Sequence, residues 1–260
     1  MFILIQHRNQ SKTALNAMAH IFNALENILF LDIETASLEK DFSELPERLK
    51  AEWLKKENHI KAKDEEIEPG SLFFQRAGIY AEFGKVLCVG VGYFHFQEES
   101  MQLEFRTKSF CEENEYDTLA GFVELLEKKP WILCAHNGKE FDFPYLSRRI
   151  LVNRIPLPEP LQIAGKKPWE VRHLDTLELW KFGDYKHYTR LELLAAILDI
   201  PTSKESIDGS QVNEAYYLQD NLQGIREYCL RDVWVTAQVY LAFQGLPPDM
   251  EVEIINRDED

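Results

Sequence analysis

The first sustained pattern along the chain lies at Ile28–Thr35, which reads I-L-F-L-D-I-E-T. Alternation puts Leu29, Leu31 and Ile33 on one face and Phe30, Asp32 and Glu34 on the other, and an apolar run bounded by polar residues predicts a strand buried on both sides. Ahead of it, Thr13–Leu25 carries Leu15, Met18, Ile21, Phe22 and Leu25 at helical spacing, and residues 1–27 read as an amino-terminal extension. Lys85–Phe96 is β-rich and mostly apolar, Gln97–Ser100 reads as a turn, and Met101–Arg106 alternates again, so the two runs predict a hairpin. Asp117–Lys128 gathers Leu119, Phe122, Val123, Leu125 and Leu126 on one helical face, Pro130 interrupts, and Trp131–Ala135 reads as a short buried strand. A turn at Gly138 opens a helix at about Glu140 that stacks Asp142, Tyr145, Leu146 and Arg149 on one face. A short strand at Val171–Leu174 and short helices at Leu177–Trp180, Leu191–Leu198 and Val212–Leu218 follow, and a long helix from about Leu222 to Phe243 ends the pattern. Strand, antiparallel pair, helix, strand and further helices predict a mixed α/β layer architecture.

Between the first strand and the hairpin, Glu39–Glu68 is strongly charged, with Leu45, Leu49, Trp53 and Leu54 at helical spacing and Pro46 near a helix start. It predicts an exposed helical insertion with a solvated face and a mobile loop leading to Pro69-Gly70. The domain boundaries read as 28–245, followed by an acidic carboxyl-terminal tail, 246–260.

Composition bounds what this fold can do. With 260 residues, 45% of them hydrophobic, the chain can bury a large single core. No apolar run reaches the ~18–20 residues that span a bilayer, so no membrane association is expected. Cys88, Cys111, Cys134 and Cys229 include no C-x-x-C, which suits reduced thiols in a cytoplasmic protein and argues against zinc or redox chemistry. A net charge of −15 weighs against tight non-specific nucleic-acid binding, yet Lys139–Arg190 holds ten bases against seven acids, enough for a local basic surface. Within it, K-F-G-D-Y-K-H-Y-T-R interleaves Phe182, Tyr185, His187 and Tyr188 with Lys181, Lys186 and Arg190. Such a segment is either a stacking and phosphate-tracking surface for a single strand or a packed surface loop.

Three acidic positions then change the picture. Asp32 and Glu34 end an apolar strand on one face, and Asp232 interrupts the apolar stripe Ile225, Tyr228, Cys229, Val233, Thr236, Val239 and Tyr240 of the last helix. Burying a lone carboxylate costs several kcal/mol after relaxation, so both placements call for a compensating cation or network. Asp142 alone is a good first-turn helix residue, Asp175 reads as a helix cap, and His136 and Asn137 read as strand-end and turn residues. Together Asp32, Glu34, Asp142 and Asp232 form a hard-oxygen set, which selects Mg²⁺ or Mn²⁺, and two such ions about 3.5–4 Å apart would serve an in-line phosphoryl displacement.

L-D-I-E, H-N-G-K-E-F-D and Y-C-L-R-D resemble, in order and relative position, the three motifs of the DEDD exonuclease superfamily, whose members share the ribonuclease H-like fold. Tyr228 four residues before Asp232 matches the tyrosine branch, and Glu227 stands where the histidine branch would place its His. The N-G-x-x-F-D motif and I-D-G-S-Q-V at Ile207–Val212 are most similar to stand-alone proteins related to the proofreading exonuclease domain of family B DNA polymerases. The resemblance implies a 3′-to-5′ exonuclease that releases nucleoside 5′-monophosphates from single-stranded DNA. It implies Asp32 bridging two metals, Glu34 and Asp232 completing the tighter site, and Asp142 holding the second ion through water. Tyr228 would orient the attacking water, and Asn137, Phe141 and Thr35 would position the terminal nucleotide. An exoribonuclease and a catalytically silent binding module on the same fold stand as the alternatives, because no motif reports 2′-OH recognition.

Overall fold

Strand β1 (Ile28–Ser37) is the axis of a computed structural model that describes residues 22, 24–61, 66–97, 100, 102–184, 188–202, 209–246 and 250–258. It pairs antiparallel with β2 (Gly84–Gln97), which pairs antiparallel with β3 (Gln102–Phe110), so the hairpin forms with strands longer than the alternation alone marks. On its other side β1 runs parallel to β4 (Ile132–Ala135), and β4 runs parallel to the two-residue strand β5 (Leu174–Asp175). A sixth strand, β6 (Glu253–Asn256), runs parallel to β3 and completes the order β5-β4-β1-β2-β3-β6. This is the expected mixed α/β sheet.

The alternation of β1 sorts the two cores. Leu29, Leu31 and Ile33 pack with Val89 and Val91 against α3 (Glu115–Leu126) and α4 (Asp142–Val152), through Leu119, Phe122, Phe143, Leu146 and Ile150. Phe30 packs on the opposite face with Phe94 and Phe105, beneath Val233, Ala237 and Leu241 of the long helix α8 (Leu222–Phe243). Farther along β1, Ala36 joins Leu87 and Cys88 under α7 (Val212–Tyr217) and the first turns of α8. Helices thus cover both faces, which is why β1 reads as continuously apolar. Two shorter helices, α5 (Thr176–Lys181) and α6 (Leu191–Ile197), complete this layer between β5 and α7.

Two expectations need correction. The charged insertion does form a helix, α1 (Glu47–Ile60), followed by the short helix α2 (Phe73–Arg76), but it is not merely a solvated face. Trp53 is fully buried against Phe73 and Phe83, and Glu57 is buried as well, its carboxylate accepting the amides of Gly70 at 2.7 Å and Leu72 at 2.9 Å. A carboxylate satisfied by loop amides needs no solvent, which is how a charged helix covers its own small core. The acidic segment at the carboxyl end likewise contributes β6, and Asp258 beyond it accepts the Ser109 amide at 2.6 Å and hydroxyl at 2.7 Å. The boundary that charge alone suggests at 246 therefore falls before a strand of the sheet. Among the described residues no helix is long and apolar enough to cross a membrane.

Candidate functional site

The acids of β1 sit near its middle on the α8 side, just past the residues that pair with β4. Asp32 pairs with Gly90 of β2 and Glu34 with Cys88, small neighbours that leave room above the strand. The ladder shifts register between Glu34 and Thr35, and such an irregularity re-aims the side chains beside it. Asp142 reaches the same part of β1 from the other layer. The chain leaves β4 through Asn137 in the left-handed region (φ 63°) and Gly138, where a Cβ would lie 2.4 Å from Ala135 Cβ. Asp175 holds that turn: its carboxylate accepts the amides of Asn137 and Lys139, both at 3.0 Å, and also those of Leu177 and Glu178 at the start of α5. Asp175 is thus a structural cap, as its sequence context suggests. The turn brings Asp142 to the first position of α4, where it is buried and its carboxylate accepts the Ile33 amide between the two β1 acids.

From above, α8 supplies Tyr228 and Asp232, one helical turn apart and joined by a side-chain hydrogen bond. Arg231 lies beside them, its Nε 3.7 Å from Asp232 and its guanidinium 4.8 Å from the Tyr228 ring centre. All four carboxylates interact electrostatically. Burial first, then Glu34, Asp142 and Asp232, push the Asp32 carboxyl well above its ordinary range; burial first, then Asp232 and Asp142, do the same to Glu34. Burial raises Asp142 to about 7 and Asp232 to about 6, the latter against the lowering pull of Arg231. Burial and the adjacent acids push the Tyr228 phenol up, so it is a neutral hydrogen-bond donor at physiological pH.

Four carboxyls raised by burial, two of them further raised by their acidic neighbours, with one adjacent arginine, make a set that a divalent cation would relieve, and oxygen donors of this kind suit Mg²⁺ or Mn²⁺. The tightest potential ligand group among the described residues is Asp32, Glu34 and Cys229, whose donor atoms lie within 4.8 Å of one another. Asp142 and Asp232 stand outside that group but within its field.

The expected substrate residues are placed unevenly. Asn137 and Phe141 flank Asp142 on the β4-to-α4 turn, and the Phe141 ring is 5.4 Å from that of Tyr145. Thr35 turns away from solvent to donate to the Gly78 carbonyl at 2.9 Å, an oxygen that also accepts the Tyr145 hydroxyl at 2.8 Å. Tyr185 and Lys186 lie outside the described residues. Their neighbours Phe182 and Tyr188 are strongly exposed, and Tyr188 lies within the field of Asp142. Sequence reasoning passed over Cys229, whose only signal was its position inside Y-C-L-R-D, and Glu192 of α6, which lies within electrostatic reach of Asp232, Tyr188 and His136.

Sheet and site together define an α/β domain whose carboxylates converge where β4 ends beside β1, beneath a long helix. Residues 82–258 match the family described as predicted 3′-5′ exonucleases related to the exonuclease domain of PolB, and the chain belongs to that family. The matched stretch contains Asp142, Tyr228 and Asp232 and begins after Asp32 and Glu34. The chain is 25% identical over 140 residues to DNA polymerase 1 of Pyrococcus abyssi and 21% identical over 140 residues to a DNA polymerase of Pyrococcus glycovorans. Each alignment takes in 48% of this chain and 18% of the polymerase. The solved family B DNA polymerase of Pyrobaculum calidifontis superposes with a TM-score of 0.47 and 16% identity, over 85% of this chain and 26% of that one.

Proposed function

We propose that the chain is a divalent-metal-dependent exonuclease that removes nucleoside 5′-monophosphates one at a time from the 3′ end of single-stranded DNA. The observation that carries this reading is the set Asp32, Glu34, Asp142 and Asp232, gathered from one strand and two helices, with burial raising all four carboxyls and Asp142 and Asp232 further raising Asp32 and Glu34. In this reading Asp32, Glu34, Asp142 and Asp232 would hold the Mg²⁺ or Mn²⁺ ions. Bound ions of this kind supply a more acidic water and charge stabilisation for both oxygens of the displacement.

The remaining roles belong to the chain. Water attacks the terminal phosphorus, the bond from phosphorus to the 3′ oxygen of the penultimate nucleotide breaks, and that oxygen leaves as the new 3′-hydroxyl. Tyr228 orients the attacking water through its hydroxyl, since a phenol held protonated by burial is a donor rather than a base. Asn137 and Phe141 position the terminal nucleotide, and Tyr185 and Lys186 track the strand behind it by stacking and charge. That relatives of the chain are DNA polymerases supports reading DNA rather than RNA as its substrate. Free, buried cysteines support a reducing, cytoplasmic setting.

Matched 5′-labelled single-stranded DNA and RNA test the reading. The expected result is a ladder shortening from the 3′ end on DNA with Mg²⁺ or Mn²⁺, slower on RNA and absent in EDTA. Intact strands of both kinds with either metal would overturn it, and faster loss of RNA would reassign the substrate.

A further inference from the structure

Cys229 lies at the crossing of α8 over the β1–β2 ladder. Its Sγ accepts the Gly90 amide at 3.2 Å and donates to the Asp32 carbonyl at 3.3 Å, and Asp32 and Gly90 are partners in the ladder. One thiol therefore bridges both strands at the residue that carries the first acid. The approach is close because residue 90 has no side chain: a Cβ there would lie 2.9 Å from Sγ and 3.3 Å from the Cys229 carbonyl carbon. The same sulfur is within 4.8 Å of the carboxylate oxygens of Asp32 and Glu34. Along α8, Cys229 follows Tyr228 directly and precedes Asp232 by three residues, so whatever fixes the helix at Cys229 also fixes those two groups.

We infer that Cys229 is a positioning residue whose thiol seats α8 on the Asp32 backbone and thereby sets the spacing between the strand carboxylates and the Tyr228–Asp232 pair. The inference rests on the proposed metal-dependent nuclease reading. Sulfur suits the place: its long bonds and large radius let a short side chain reach two backbone groups at once, and each contact is weak singly. The register irregularity between Glu34 and Thr35 follows two residues beyond the clamped Asp32, so the clamp holds β1 just before it is re-aimed. Groups that orient ligands in this indirect way typically account for about 10–100-fold in metal affinity or activity.

The test reads Mn²⁺ binding to the metal-free full-length protein by the loss of the free-ion EPR signal, alongside steady-state cleavage of single-stranded DNA. Cys229→Ala should weaken Mn²⁺ binding about tenfold and lower kcat while leaving KM for the strand near that of the wild type. Cys229→Ser, whose hydroxyl can still donate to Asp32 and accept from Gly90, should fall between the two. Wild-type Mn²⁺ binding by Cys229→Ala would overturn the inference and leave the nuclease reading standing. Equal weakening by alanine and serine would assign the effect to lost volume and also overturn it. A wild-type protein that binds no Mn²⁺ would remove the reading on which the inference rests. Should Cys229→Ala not fold, Gly90→Ala pushes against the same sulfur, and unaltered Mn²⁺ binding by that variant would equally count against the clamp.

Discussion

Asp142 and Asp232 hold their protons to about 7 and about 6 because burial disfavours the charged forms, and Asp32 and Glu34 are raised for the same reason. Unfolded carboxyls titrate near 4, so between that value and about 7 the folded chain binds protons that the unfolded chain has lost. Stability from these groups is complete below the unfolded pKa and is lost as pH rises through the folded one. The metal-free protein should accordingly melt at a lower temperature at pH 8 than at pH 5.5. Asp142→Asn should flatten that slope and raise the melting temperature at pH 8, while added Mg²⁺ or Mn²⁺ should flatten it in the wild type; an Asp142→Asn protein with an unchanged slope would contradict the assignment. Tyr228→Phe keeps the ring under Arg231 and removes only the hydroxyl. It should leave Mn²⁺ binding intact and slow turnover by about tenfold to a thousandfold in single-turnover cleavage, the size of effect expected from losing one positioning interaction. At this scale three of the acids were legible because each breaks an apolar pattern: Asp32 and Glu34 on a strand, Asp232 on a helical stripe. Cys229 was not, since a thiol on an apolar face fits the pattern whether it fills space or bridges two backbones.

Elements with a long period were readable, and elements defined by their neighbours were not. β1 and α8 emerge from alternation and from an apolar stripe along a helix of about six turns, and the structure places them within two residues of where the pattern does. The pattern predicts a short strand at Val171–Leu174, but β5 has only Leu174 and Asp175, because its extent is set by the ladder that the edge of β4 offers rather than by any period of its own. β6 was hidden by the charges of Glu253 and Asp258; the first is exposed at a sheet edge, and the second is consumed by Ser109. In the insertion, the helical spacing of Trp53 was visible, but Glu57 looked like one more solvated charge, because spacing cannot report that two loop amides wait for it. The insertion's small core, with Trp53 at its centre, packs against Phe83 just before β2. Trp53→Ala should therefore cost about 3–5 kcal/mol, read as a lower urea midpoint. An unchanged midpoint would mean that the insertion folds independently of the stability of the sheet.

For the molecule as a whole, the fold joins a segment the family match covers to one it does not. Residues 82–258 carry Asp142, Tyr228 and Asp232, while Asp32 and Glu34 arrive from β1, and the sheet register sets the two groups against each other. The chain does so while carrying a net charge of −15, so its grip on a polyanion has to come from local groups and bound cations rather than from overall attraction. That makes the acid cluster the centre of the account, and the fate of the last nucleotide its most direct readout. A single-stranded DNA labelled in its 3′-terminal nucleotide should, with Mn²⁺ and wild-type protein, yield the label first as a nucleoside 5′-monophosphate. Asp32→Asn, folded and at the same concentration, should release essentially none. Label appearing first in longer fragments, or released by Asp32→Asn at the wild-type rate, would contradict the account.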